Sequence, residues 1–596
     1  VCKVFSIGDV VLDKNGSPAD VYRFFLQVYN GYVVSHCIYN DRHYIIFSIF
    51  YFFIMKNIAL SSGYVASVAD AVVVVKGLDR AFIGEVVSFR TIDSDELGLV
   101  LNIEKEVVRV ALINGTDKKV RAMDRVFQTS MPARTKVGFG MIGRIVTPLG
   151  VCINQEDFDP AEYVLNELFG VRYASVEAKV AGIIEREPVR TPVLTGINAI
   201  DSLLPIGCGQ RELIIGDLGS GKTSLALTVI LNQKYRNYTL YKLWRKMESN
   251  RLTYRHRSFV PCVYVVIGGR RAEISRIKRL LKDTGASKYT VVVFTSADDL
   301  AALQYLAPFA GCSVGEWFRD NGYKSIVIYD ELLNHAAAYR QVSLLLRRPP
   351  GREAFPGDIF YLHARLLERA AQLNRRLGGG ALTALPVVET KSGDISAYIP
   401  TNIISITDGQ IFLSSKLGNS GVKPAVDLNL SVSRVGSDAQ YYSMKYVSKR
   451  VRVTYGLYRT YAGIEKMSAD IDPMIMSFIN RGKKLLEYFK QDLYETETLY
   501  KQLVCLYTIA DGYLDDVDTS LVKYYFNLMF QIKIAPAYLK DSKLYYLITR
   551  SEVMNSVIIS VDFMVLKAKL DIWLQQYNKA FKEQYEYKVD RSVAKL

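Results

Sequence analysis

Residues 211–224 read RELIIGDLGSGKTS. An apolar run, Leu213–Ile215, leads into Gly216-x-x-x-x-Gly221-Lys222-Thr223, and SLALTVIL follows with helical character. Strand, glycine-rich turn and helix start are the setting of a phosphate-binding loop. Glycines let backbone N–H groups converge on phosphate oxygens, and an open helix N-terminus favours negative charge. The candidate contacts to a nucleoside triphosphate, ATP or ADP, are Gly216, Gly219, Ser220, Gly221, Lys222, Thr223 and Ser224. Lys222 suits the β- and γ-phosphates, and the Thr223 hydroxyl suits Mg2+. A parallel-sheet α/β core with its nucleotide at the strand ends is the fold expected around this stretch.

About one hundred residues on, SIVIYDELL (325–333) reads as a buried parallel strand ending in Asp330. Ligands gather at the carboxyl ends of such strands, so Asp330 is the candidate partner of Thr223 in a magnesium shell. The competing reading makes Asp330 the N-cap of the helix that LNHAAAYRQVSLLL predicts. Hydrolysis also needs a base or a water-orienting group beside the γ-phosphate. That group belongs at the end of the next strand, CVYVVIG (262–268), where Gly269 stands. Glycine can neither accept a proton nor orient water. Glu273 lies one helical turn further, about 6 Å along the axis, a poor substitute. The site reads as one that binds and does not turn over.

Three long stretches carry a family resemblance: RTPVLTGINAIDSLLPIGCGQRELIIGD (190–217), AYRQVSLLLRRPPGREAFPGDIFYLHARLLERAAQLN (338–374), and LTALPVVETKSGDISAYIPTNIISITDGQIFL (382–413) continuing to LSVSRVGSDAQ (430–440). They resemble the α subunits of F-type rotary ATP synthases, and the likeness runs from about Ser61 to Leu514. The resemblance implies that Arg434 is an arginine finger reaching into the catalytic site of a neighbouring β subunit. A guanidinium there stabilises the charge spread over the transition state. It also implies that Glu389 lies near the nucleotide, that Lys423 and Pro424 sit where the family places Arg-Pro against the adenine, and that Gln491 lies near the same end. Arg434 in an ordinary interface salt bridge is the plainer alternative.

Several positions depart from the family. Gly269 replaces a glutamine of α and a glutamate of β. Leu218 and Gly219 stand where α subunits carry arginine and glutamine, Leu493 replaces a second glutamine, and Gly418 and Asn419 fall at positions often aromatic. Weaker or altered nucleotide selectivity follows, with no turnover. The resemblance further implies an alternating hexamer of α and β chains (α3β3), a central γ stalk, a peripheral stalk, and a place on the matrix side of the mitochondrial inner membrane, reached indirectly through the complex.

At 596 residues, with 49% apolar content, the chain has material for several packed domains. Seven cysteines and five histidines form neither C-x-x-C nor H-E-x-x-H, so neither a zinc site nor a disulfide framework is read. The net charge of +15 raises nucleic-acid binding, because Lys234–Arg257 interleaves basic residues with tyrosines. A solvated insertion that touches a neighbouring subunit or anionic lipid is the reading preferred, with no nucleic-acid partner. Tyr44–Met55 (YIIFSIFYFFIM) is apolar but shorter than the roughly 20 residues a spanning helix needs. It is expected as a buried strand or helix against another subunit. The first residues lack the composition of a transit peptide, which leaves removal or local synthesis open.

Four parts are expected: a divergent extension (1–57), a small antiparallel β-barrel (58–135) announced by short alternating runs, a RecA-like parallel-sheet nucleotide-binding domain (136–440), and a C-terminal helical bundle (441–596). Two other functions stay in view. A catalytic hexameric ATPase of this fold needs a carboxylate at position 269, and a ring-shaped nucleic-acid translocase needs the basic insertion to grip a strand.

Overall fold

The computed structural model describes strands between residues 25 and 46, then residues 62–91, 95–114, 119–153, 171–246, 259–463 and 472–531, with scattered positions from 567 to 581. Phe25–Tyr29, Tyr32–Tyr39 and Arg42–Ile46 form a three-stranded antiparallel sheet. It takes in the start of the apolar run at Tyr44; residues 47–61 lie outside the described ones.

Ser62–Ala69, Val72–Lys76, Glu85–Arg90, Asp95–Ile103, Val108–Leu112 and Arg125–Pro132 close into the barrel that the alternating runs predict. Alternation places Val65, Val73, Val75, Val87, Phe89, Val110 and Val126 inside. Gly63 is required for closure, since a Cβ there meets the Lys76 carbonyl oxygen at 2.3 Å. Buried Glu85 accepts from Gln128 Nε2 at 3.0 Å and from the Ser130 N–H at 2.6 Å, which ties two strands together through one carboxylate.

The second unit is built on an eight-stranded sheet. Its strands are β1 (Ile145–Val146), β2 (Leu213–Asp217), β3 (Cys262–Gly269), β4 (Thr290–Ser296), β5 (Lys324–Asp330), β6 (Ala381–Thr390), β7 (Gly409–Leu413) and β8 (Val432–Ser433). Their spatial order is β1-β4-β3-β5-β6-β2-β7-β8, all parallel except the β7–β8 edge. Continuous apolar runs make these strands because both faces are covered: β4 is buried at every position. β6 separates β2 from β5, so the phosphate loop and Asp330 lie on strands that are not hydrogen-bonded to each other.

Helix Lys222–Lys246 leaves the loop directly and runs into the basic insertion, whose residues 247–258 lie outside the described ones. Further on, Tyr442–Tyr461, Pro473–Tyr488, Leu499–Ala510 and Val522–Gln531 pack around Val447, Val451, Leu485, Leu503, Tyr525 and Phe526. Asp472 caps the second of these, accepting from the Met474 N–H at 2.8 Å, with Pro473 in the first turn. Barrel, parallel-sheet α/β domain and helical region are the architecture the sequence predicts. Among the described residues no helix is long and apolar enough to cross a membrane.

Candidate functional site

β2 ends at Asp217, and the chain turns through residues 218–221 into a helix whose first residue is Lys222. Gly219 and Gly221 hold φ of 75° and 98°, left-handed backbone that side-chain-bearing residues rarely adopt. Gly216 has no room for more: a Cβ there meets Leu413 O at 2.5 Å and Ser220 Oγ at 2.8 Å. Ser220 Oγ itself is buried and lacks a hydrogen-bond partner, an acceptor and donor left facing the loop. Ser224 is half-buried in the helix's first turn, and Leu218 is exposed at the tip of the loop.

Lys222 is buried, yet its ammonium is held by the Gly216 and Asp217 carbonyls at 2.9 and 2.8 Å and by Glu389 Oε2 at 3.4 Å. These three are anionic or partly negative groups of the protein, the same character that phosphate oxygens present. Asp217 anchors the entry to the loop. It accepts from Thr390 Oγ1 at 2.7 Å, the Gly393 N–H at 2.6 Å and Ser415 Oγ at 3.2 Å, and the bond from Thr390 leads in holding its carboxyl below the usual range.

Thr223 Oγ1 donates to Asp330 Oδ2 at 2.9 Å, and Tyr264, three strands away from the loop's own strand, donates to the same oxygen at 2.5 Å. Glu331, not Asp330, occupies the N-cap position of helix Leu332–Leu345, so the capping alternative for Asp330 does not hold. Burial raises the Asp330 carboxyl, against the pull of its two hydroxyl donors and Lys222. Glu331 accepts from the Glu389 N–H at 2.9 Å, and burial followed by the charge of Glu389 pushes it up to about 7. Two hydroxyls, Asp330 and a lysine thus converge where the carboxyl ends of β2, β5 and β6 meet, a set that could hold a hydrated divalent cation beside phosphates.

Gly269 closes β3, where the register with β4 slips between Val266 and Gly269. A Cβ on Gly269 stands 2.4 Å from Val266 Cγ1, so no side chain is accommodated without displacing Val266. Glu273 sits in the first turn of helix Arg271–Thr284, half-buried, its carboxyl raised by burial and then by the charge of Asp330.

Lys423 is exposed and Pro424 half-buried on the segment between β7 and β8. The Gln491 N–H donates to the Lys423 carbonyl at 2.7 Å, which brings these positions together. The Gln491 side chain is buried and engaged with backbone: its Oε1 accepts from the Asn198 N–H at 2.8 Å and its Nε2 donates to Gly196 O at 3.0 Å. Arg434 is exposed directly after β8, its N–H donating to Asp408 O at 2.8 Å. Because β8 runs antiparallel to β7 and pairs with its first residues, Gly409 and Gln410, Arg434 lies level with the start of β2. The loop lies beyond the other end of β2, roughly 20 Å of strand away.

Sequence reasoning did not single out Tyr264, Asp217 or Glu331. Tyr264 was hidden inside an apolar run, and the other two stood beside residues that carried the motif. Among the described residues, no group of three or more histidine, cysteine, aspartate or glutamate side chains forms a metal cage.

Residues 196–433 match the nucleotide-binding domain of the ATP synthase alpha/beta family, and residues 440–541 match the C-terminal domain of the ATP synthase alpha/beta chain. The ATP synthase subunit alpha of Orientia tsutsugamushi (strain Ikeda) is 42% identical over 524 residues, covering 88% of this chain and 94% of the relative. The protein of the same description from Neorickettsia sennetsu (strain ATCC VR-367 / Miyayama) is 44% identical over 458 residues, covering 77% of this chain and 85% of the relative. With a nucleotide-binding loop, a matching fold and this breadth of identity, the chain belongs to the ATP synthase alpha subunit family.

Proposed function

We propose that this subunit binds MgATP without hydrolysing it, and serves catalysis by lending Arg434 to the site of an adjacent β subunit. The observation that carries the reading is the pairing of a complete lysine and hydroxyl set, Lys222, Thr223 and Asp330, with a β3 end that has neither a carboxylate nor space for one at Gly269. With nucleotide bound, Lys222 would exchange its carbonyl partners for β- and γ-phosphate oxygens, the turn's N–H groups and Ser220 would take the remaining oxygens, and Thr223 and Asp330 would hold the magnesium ion. That ion supplies charge neutralisation between the phosphates. Glu389 borders the phosphates, while Lys423 and Pro424 border the base. Gln491 acts there through the Lys423 backbone. Arg434 cannot serve its own loop from the opposite end of the sheet, which supports action across a subunit boundary.

In this reading the chain alternates with β subunits in an α3β3 ring around a γ stalk, contacts the peripheral stalk, and takes no nucleic acid. The domain limits are taken at residues 57, 135 and 440. Its place is the matrix side of the mitochondrial inner membrane. The bacterial origin of the relatives favours, as the second reading of location, the cytoplasmic face of a bacterial membrane; fractionation of the source cells separates the two.

The deciding experiment measures MgATP binding and steady-state hydrolysis on the purified chain, with Lys222→Ala as control. Saturable binding without turnover, lost in the control, is the expected result. A second functional reading draws on Glu273, whose carboxyl feels the charge of Asp330. If turnover is found and Glu273→Gln abolishes it, this chain is a catalytic hexameric ATPase subunit and the non-catalytic reading fails.

A further inference from the structure

The Asp330 carboxylate is held by two hydroxyls on a single oxygen. Thr223 belongs to the loop, but Tyr264 comes from the middle of β3 and has no place in any nucleotide motif. The register pairs Val266 with Asp330 and Tyr264 with Ile328, so Tyr264 and Asp330 share one face of the sheet, two positions apart on neighbouring strands. An aromatic side chain spans that diagonal. Tyr264 is fully buried in the apolar cluster that includes Ile277, Leu281, Ile326 and Ile328. A phenol placed there needs an acceptor, and it donates to Asp330 Oδ2 at 2.5 Å. Neither hydroxyl uses Oδ1, the oxygen left for a hydrated cation.

We infer that Tyr264 is the positioning residue of the metal end of this site, locking the Asp330 carboxylate in one orientation so that the site favours magnesium over larger divalent cations. The inference rests on the reading of Thr223 and Asp330 as the magnesium end of the nucleotide site. Its physical basis is geometric. Magnesium requires near-ideal octahedral geometry at short distances, whereas calcium accepts a looser set of oxygens. A carboxylate pinned through a rigid ring on a buried strand satisfies the first demand. A carboxylate pinned only by Thr223, whose hydroxyl must also face the ion, is free to rock. Outer hydrogen bonds of this kind are typically worth roughly ten- to a hundredfold in metal affinity.

The test uses the full-length chain and titrates Mg2+, then Ca2+, at a fixed fluorescent ATP concentration, comparing wild type, Tyr264→Phe and Asp330→Ala. Parallel measurements are ATP affinity in excess chelator and the thermal midpoint. Phenylalanine keeps the packing volume and deletes only the hydroxyl. The expected result is that Tyr264→Phe weakens Mg2+ roughly tenfold and Ca2+ clearly less, so that the preference for Mg2+ narrows. Metal-free ATP affinity and the thermal midpoint stay at wild-type values. Equal losses for both ions, or none while Asp330→Ala abolishes the metal dependence, overturn the positioning role and leave the nucleotide site intact. A silent Asp330→Ala overturns the site reading and this inference together. A lowered thermal midpoint with unaltered ion preference assigns Tyr264 to packing alone and also overturns it.

Discussion

Lys222 is buried and its charge is held by two backbone carbonyls and Glu389, so Lys222→Ala removes the cation that sits against the Glu389 carboxylate. The expected outcome is loss of MgATP binding by at least a hundredfold in equilibrium titration, about 3 kcal/mol, as for a charged hydrogen-bonding group lost from a phosphate site. Gly269 carries the opposite lesson. Since its Cβ would press on Val266 Cγ1, Gly269→Ala is expected to cost about 1–3 kcal/mol in denaturant unfolding. Gly269→Glu is expected to give no hydrolysis, because the new carboxylate arrives on a displaced backbone. An undiminished unfolding free energy for Gly269→Ala, or measurable turnover in Gly269→Glu, contradicts this account.

Between elements, two contacts decide how helices meet. Gly482 lies against Tyr458, where a Cβ would stand 2.3 Å from the Tyr458 Cβ, so helices Tyr442–Tyr461 and Pro473–Tyr488 cross at a glycine. The second contact joins helix Leu332–Leu345 to helix Ile359–Leu367 through His335 and His363, both fully buried with ring centroids 5.5 Å apart. His335 Nε2 lies 3.2 Å from the Tyr305 carbonyl, while His335 Nδ1 and both nitrogens of His363 are buried without a hydrogen-bond partner. Burial pushes His363 down to about 4, and burial with the neighbouring His363 pushes His335 well below its ordinary value. The unfolded chain therefore binds more protons than the folded one between pH 6.5 and about 4. Stability contributed by the neutral pair is present above pH 6.5 and is lost as pH falls through that window. For His363 alone the loss is on the order of 3 kcal/mol. Hydrogen exchange of these two helices at pH 7.5 and 4.5 checks it: protection drops on acidification, and His363→Phe reduces the drop.

At the scale of the whole molecule, the sheet carries the two proposed sites at its two ends. The loop, Asp330 and Glu389 gather at the carboxyl ends of the parallel strands, and Arg434 sits at the other end beside Asp408. Arg434→Ala is expected to lower ATP turnover of the assembled complex by roughly a thousandfold or more. MgATP affinity of this chain stays unchanged, and so does assembly measured by sedimentation. A full rate in that variant removes the finger assignment. The sequence by itself determined the loop, the α/β alternation around it and the missing carboxylate at Gly269, because each is written in contiguous residues through backbone freedom, strand periodicity and side-chain chemistry. It determined the barrel for the same reason, since alternation is a local property. Only the tertiary structure decided that Glu331 and not Asp330 holds the cap position, that Gln491 spends its amide on residues 196–198, and that Tyr264 grips the same carboxylate oxygen as Thr223. Each of those depends on the order and register of strands far apart in the chain, which side-chain periodicity along one segment does not encode.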